Sequence, residues 1–321
     1  MNLFDMPLEE LKNYKPDLTK ESNFEEFWEK TIEESKDQPL DAKLNSVDYP
    51  VEQVRVYDVF FDGFKNSRIY GRYVLPKEAS KDNKVPVIVM YHGYNWNNVV
   101  ISNVLSFSLM GYGVLLVDVR GQDIKSPDHN NYDNGGAAGW MTKGILNPDN
   151  YYYRYVYMDC VRAVEFVSKR EEIDSDKIAV EGGSQGGGLA IAAGALSDKV
   201  KAVMADIPYL CHFRRAVELY EGSPYSEIYH YFKLHDSLHQ TEEQVYKTLS
   251  YFDGMNLAAR IKADVLMSVG LEDTVCPPST GFALYNHLDT NKEIKVYPEY
   301  GHGGFNQQGE EKIVFLKKRF G

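Results

Sequence analysis

A serine embedded in Gly182-Gly183-Ser184-Gln185-Gly186 follows the apolar segment Lys177–Val180 and precedes the apolar stretch Leu189–Leu196. A serine on a sharp strand-to-helix turn needs glycines around it, because its backbone is strained and the flanking chain passes too close for side chains. Such a turn sets Ser184 at a helix N-terminus, where free N–H groups and the helix dipole stabilise developing negative charge. The pattern matches neither a phosphate loop, which needs Gly-Lys before Ser or Thr, nor the G-x-G-x-x-G of a dinucleotide site. Nucleophilic attack is therefore the chemistry on offer, and a plain tight turn is the alternative.

A serine hydroxyl attacks slowly until a base takes its proton, so an acid and a histidine are required later in the chain, in the order Ser, Asp, His. Asp273 stands 89 residues on, in Gly270-Leu271-Glu272-Asp273-Thr274 after Val265–Val269. His302 stands 29 residues further, in Tyr300-Gly301-His302-Gly303-Gly304 after Ile294–Tyr297. Each falls just past the carboxyl end of an expected strand, so all three converge on one face. Singly, Asp273 reads as a turn or N-cap residue and His302 as a loop histidine; their joint order and placement favour a triad. Glu272 is the substitute acid. The second oxyanion donor is expected from Tyr91-His92-Gly93-Tyr94-Asn95-Trp96, which pairs the backbone N–H of Tyr94 with that of Gln185 and leaves His92 a structural role. A competing site is His235-Asp236-Ser237-Leu238-His239, one residue from H-E-x-x-H, with His230 nearby. Its Asp is shorter than the Glu that would activate water, so no metal is expected.

These residues need a frame. Val85–Tyr91, Gly113–Val119, Lys177–Val180, Ala202–Ala205 and Val265–Val269 are short apolar strands, with helix-length segments such as the Val156, Cys160, Val164, Val167 stripe between most of them. Alternation of buried strands and helices calls for a mainly parallel, doubly wound α/β sheet. Val54–Phe61 and Ile69–Leu75, around Asp62-Gly63, read as an antiparallel hairpin at one edge. Phe24, Phe27, Trp28 and Ile32 lie on one stripe of an N-terminal helix that Ser22 could cap, within an extension of about residues 1–50. Between about 207 and 260 the rhythm stops. An aromatic stretch including Tyr209, Phe213, Tyr220, Tyr225, Tyr231, Phe232 and Tyr251 reads as a helical cap over a pocket, at the strand end where such sheets bind ligands. Gly135 to Gly139 is the other irregular stretch.

The 321 residues are 43% hydrophobic and 26% charged, the composition of a folded chain with a sizeable core. A net charge of −12 without clustered Lys or Arg argues against nucleic-acid or anionic-membrane partners. No apolar run approaches the roughly 20 residues of a membrane-spanning helix. Residues 1–48 carry thirteen acids against six bases, unlike a signal or transit peptide. Cys160, Cys211 and Cys276, odd in number and widely spaced, read as buried free thiols in a reducing compartment. A cytoplasmic protein is expected.

With these residues in place the chain resembles carbohydrate esterase family seven, the acetyl xylan esterases and cephalosporin C deacetylases of the α/β-hydrolase fold. The likeness runs from Phe4-Asp5-Met6-Pro7-Leu8-Glu9-Glu10-Leu11 through Trp140-Met141-Thr142-Lys143-Gly144 and Tyr151-Tyr152-Tyr153-Arg154 to the C-terminal helix. The family's Arg-Gly-Gln looks like Arg120-Gly121-Gln122, and its triad falls on Ser184, Asp273 and His302. Arg120 is read as a buttress of loops. The family usually has Glu where Gly303 stands. The resemblance implies a single α/β-hydrolase domain over 1–321 and removal of O-acetyl groups from small substrates such as xylo-oligosaccharides or cephalosporin C. It further implies no cofactor, a small acyl pocket limited by Tyr94 and Phe213, and a hexamer built as a dimer of trimers. A carboxylesterase of broader acyl range, a serine peptidase of the same fold and a non-catalytic binding module are the rivals.

Overall fold

Runs of β-branched and aromatic residues become strands, and they assemble into one sheet in the computed structural model, which describes residues 4–96, 100–123, 125–134, 136–219, 222 and 224–321. Among these residues the strands are β1 (Lys43–Val47), β2 (Val54–Asp62), β3 (Arg68–Pro76), β4 (Val85–Tyr91), β5 (Gly113–Val117), β6 (Ile173–Gly183), β7 (Val200–Asp206), β8 (Asp264–Gly270) and β9 (Lys292–Tyr297). Their order is β1-β2-β3-β5-β4-β6-β7-β8-β9. β1, β2, β3 and β5 pair antiparallel, and from β5 to β9 every pair is parallel. Tyr220 and Gly135 lie outside the described residues.

The central strands are apolar on both faces because both are covered. Val87, Val89, Tyr91, Val180, Val203 and Met267 pack on one side, with the helices Phe24–Lys36, Tyr152–Ser168 and Gln185–Leu196. Ile88, Met90, Ala179, Met204 and Leu266 alternate with them and meet Phe315, Leu316 and Phe320 of the C-terminal helix Gln308–Phe320. Parallel pairing puts the carboxyl ends of β4, β6, β8 and β9 on one rim of the sheet.

Three expectations change. β1 joins the sheet from within the N-terminal stretch, held by pairing with β2 rather than by any apolar alternation of its own. Asn23, not Ser22, precedes the N-terminal helix; it makes no side-chain cap bond and accepts the Tyr251 hydroxyl on Oδ1 at 2.6 Å. The helix Tyr152–Ser168 carries no single stripe. Tyr152, Tyr153, Tyr157, Met158 and Arg162 are buried as well, since it lies between the sheet, the N-terminal helix and the stretch after β7.

Between β7 and β8 run the helices Phe213–Leu219, Ser226–His235, Glu242–Ser250 and Gly254–Leu257. Ile207, Leu210 and His212 enter this stretch at φ 40°, 65° and 46°. The buried Asp253 carboxylate secures the entry by accepting the N–H groups of His212 (2.8 Å) and Phe213 (3.1 Å). Burial raises that carboxyl to about 6. In the competing stretch His235–His239 the helix stops at His235, whose Nε2 reaches the Gly136 carbonyl, while His239 bonds Glu242 and stacks on Phe232. Among the described residues no group of three or more His, Cys, Asp or Glu stands where it could hold a metal ion. Nor is any described helix long and apolar enough to cross a membrane.

Candidate active site

β6 ends at Gly183, and the helix Gln185–Leu196 begins two residues later, so Ser184 must make the turn alone. It does so at φ 57°, ψ −120°, a strained conformation for a residue with a side chain. Three backbone bonds hold it: Ser184 N–H to Asp206 O (2.9 Å), and Gly188 and Tyr209 N–H to Ser184 O (3.1 and 3.0 Å). The glycines are demanded by contact. A Cβ on Gly186 would stand 2.1 Å from the Tyr91 carbonyl oxygen, and one on Gly182 would stand 2.4 Å from the Gly186 carbonyl carbon.

The strand ends deliver the partners. Ser184 Oγ and His302 Nε2 are 2.9 Å apart, and His302 Nδ1 lies 2.8 Å from Asp273 Oδ2. Asp273 is fully buried, and its Oδ1 accepts the N–H groups of Val275 and Cys276, both at 2.8 Å. Those two amides fix the carboxylate and leave Oδ2 for the imidazole. Glu272, by contrast, points to solvent. This arrangement allows Ser184 to pass its proton to Nε2 while Nδ1–H stays bonded to the carboxylate. Gly303 adopts φ 95°, in the left-handed region that a residue with a Cβ avoids, and a Cβ there would lie 3.4 Å from Ile207.

The Gln185 amide opens its helix and has no carbonyl one turn back to bond. Its side chain is buried, accepting from Gln122 Nε2 (2.8 Å) and the Tyr153 hydroxyl (2.9 Å) on Oε1 and donating to Gln122 Oε1 (3.0 Å). Gln122 Oε1 also takes the Asn95 N–H at 3.0 Å, so Gln122 ties the two loops that carry Tyr94 and Gln185. Gly121, at φ 70°, turns the chain between Arg120 and Gln122. Arg120 is fully buried, donating Nε and Nη2 to Asp159 (2.8 and 2.7 Å) and Nη2 to the Phe64 carbonyl. His92 accepts the Val119 N–H on Nε2 and donates from Nδ1 to Gly93 O, both at 2.8 Å, and so braces the same loop.

A cavity of about 450 Å³ opens on Ser184 and His302 and is lined by Gly93, Tyr94, Trp96, Ile207, Pro224 and Val275 among others. Tyr94 stands in its wall. Phe213 does not: it is 2% exposed, against Tyr225, and Ile207 and Pro224 occupy the wall instead. Burial holds the thiols of Cys160, Cys211 and Cys276 well above the usual range, so none offers a thiolate.

Two clusters escape the sequence reading. Glu227 accepts the Tyr94 hydroxyl (2.5 Å) and the Met141 N–H (2.9 Å), while the Tyr94 oxygen takes the Trp140 N–H (2.7 Å). Burial pushes the Glu227 carboxyl up against those donors. Behind the serine turn, Lys312 bridges Glu181 and Asp206, each at 2.5 Å. Burial works against its ammonium, yet the two carboxylates outweigh it and hold it above the lysine range. The clue for Glu227 is Gly139, at φ 111°, where a Cβ would fall 2.0 Å from Glu227 Oε1.

A parallel sheet that carries a serine on a strand-to-helix turn, with acid and histidine from later strand ends, defines an α/β hydrolase. Within that class the chain belongs to the acetyl xylan esterase (AXE1) family, whose model matches residues 1–320. An acetyl xylan esterase from Paenibacillus sp. R4 is 48% identical, with 98% of this chain and 100% of that one covered and a TM-score of 0.96. Acetyl xylan esterase 1 from Thermoanaerobacterium sp. JW/SL YS485 is 35% identical, with 99% and 100% covered and a TM-score of 0.94. The acetyl esterase Axe7A of Xylanibacter ruminicola is 27% identical over an aligned length of 315, with 95% of this chain and 69% of that one covered.

Proposed function

We propose that this chain is a serine esterase that removes O-acetyl groups from small acetylated substrates, in particular acetylated xylose and xylo-oligosaccharides. Ser184 attacks the acetyl carbonyl while His302 takes its proton, and Asp273 keeps the imidazole in its tautomer and stabilises the imidazolium. The tetrahedral oxyanion is held by the N–H groups of Tyr94 and Gln185. His302 then protonates the departing sugar oxygen and activates the water that releases acetate, without a cofactor. The observation that carries this reading is the hydrogen-bonded line from Ser184 through His302 to the buried Asp273, at 2.9 and 2.8 Å, in the wall of a cavity. Family membership supports the acetyl group as the acyl unit.

Mixing the protein with p-nitrophenyl acetate should give a burst of nitrophenolate and one acetyl group on the peptide holding Ser184, both lost in Ser184→Ala. Steady turnover in Ser184→Ala would overturn the assignment. Cephalosporin C, whose acetate ester has the same chemistry, belongs to the same substrate class. The reading extends to a cytoplasmic hexamer arranged as a dimer of trimers, which light scattering tests: a mass six times that of the chain supports it, and a monomer mass contradicts it.

A further inference from the structure

Trp96 is 67% exposed, whereas Trp28 is fully buried and Trp140 is partly buried against Tyr94. Yet Trp96 lines the same cavity as Ser184 and His302. Its place is set by the backbone: Asn95 turns at φ 52°, the Trp96 N–H returns to the Gly93 carbonyl at 3.2 Å, and the Asn95 N–H is held by Gln122 Oε1. The network that ties the Tyr94 loop to Gln185 thus also holds an indole at the rim, two residues from the oxyanion donor. Pro224, Val275 and Ile207 line the same cavity, and no Lys or Arg is among the described residues lining it. Glu181, the one carboxylate there, is paired with Lys312.

We infer that Trp96 is the platform on which the neutral pyranose ring of the leaving alcohol stacks, and so a specificity-determining residue for the sugar side of the ester. The inference rests on the acetyl-sugar esterase reading above. The acetyl group must sit with its carbonyl against Ser184 and the oxyanion donors, and its small volume leaves the rim of the cavity to the alcohol. A pyranose presents a face of C–H groups whose positive edge suits the negative face of an indole, while its hydroxyls stay hydrated around the ring. A wall without a cation suits a neutral sugar better than an anionic alcohol.

The test compares wild type, Trp96→Ala and Trp96→Tyr on peracetylated xylopyranose and on ethyl acetate, whose alcohol is too small to stack. Trp96→Ala should lower the ratio of kcat/KM for the xylose ester over ethyl acetate by roughly threefold to tenfold, the size of an aromatic stacking contribution. The change should lie in KM, as for a contact made equally in ground and transition states, and Trp96→Tyr should restore most of it. An unchanged ratio in Trp96→Ala, with the xylose ester still turned over by wild type, would overturn the platform and leave the esterase reading standing. If wild type cleaves ethyl acetate and not the xylose ester, the sugar substrate fails, and the platform with it.

Discussion

Ser184 stores strain at φ 57° that its neighbours make tolerable, and Asp273 reaches the site already committed to two amides. The second fact gives a sharp test at the residue scale. Asp273→Asn preserves shape and keeps an acceptor for Val275 and Cys276, but it presents an NH2 to His302 Nδ1 and forces the wrong tautomer. The kcat for p-nitrophenyl acetate should fall by roughly 10⁴-fold with little change in Tm; a fall below tenfold would deny the carboxylate its role. The triad residues were legible in the sequence because each sits in a local pattern, apolar strand then glycine-rich turn, that constrains its position. Glu227 and Lys312 were not, since a charged residue on an amphipathic helix reads as a solvated face, and only the fold brings Tyr94 to one and Asp206 to the other. Phe213 misled because aromatic character says nothing about which side of a cap helix faces the cavity. The φ of 95° at Gly303 gives a local reason for glycine: the histidine loop turns there through the left-handed region.

At the scale of elements, the site depends on loops tied to one another rather than on the sheet alone. Gln122 bonds Asn95, Gln185 and Tyr152 at once. Gln122→Ala should lower kcat by roughly tenfold to a hundredfold, less than outright loss of an oxyanion donor. A drop in Tm with kcat intact would reduce Gln122 to a structural tie. A second element-scale test concerns the N-terminal segment, which meets the stretch after β7 where the Tyr14 hydroxyl lies 2.9 Å from His212 Nε2. Burial, aided by Arg215 and opposed by Asp5, lowers His212 to about 4. The folded chain then binds fewer protons than the unfolded one between that value and the ordinary histidine range. Stability is therefore fully present above pH ~6.5 and is lost as pH falls toward 4, by on the order of 3 kcal/mol. His212→Gln should flatten urea-derived stability across this window, and an unchanged slope would contradict the assignment. Strands with continuous apolar runs were legible, β4 to the residue, but β6 extends from Ile173 to Gly183, well beyond the expected Lys177–Val180, because its polar start Asp174 to Asp176 carries no apolar signal. β1 was hidden because an exposed edge strand gains its order from the partner's hydrogen bonds and carries little hydrophobic signal.

For the whole molecule, a chain of net charge −12 turns a cavity of about 450 Å³ without a lining Lys or Arg among the described residues toward solvent, with the aromatic stretch after β7 contributing Ile207 and Pro224 to its wall. That a cavity opens at these strand ends was legible from the break in the strand–helix rhythm after Asp206; which residues of the stretch form the wall was not, because three positive-φ residues redirect the chain just beyond β7. The Tyr94 ring is pinned through its hydroxyl by Glu227 and the Trp140 amide, so the wall nearest the proposed oxyanion donors has little freedom to yield to a longer acyl chain. The ratio of kcat/KM for p-nitrophenyl acetate to that for p-nitrophenyl butyrate, with Ser184→Ala as blank, tests the serine acetyl esterase most directly. The expected ratio is well above ten, with both activities gone in Ser184→Ala. A ratio below one, or hydrolysis that persists in Ser184→Ala, would contradict it.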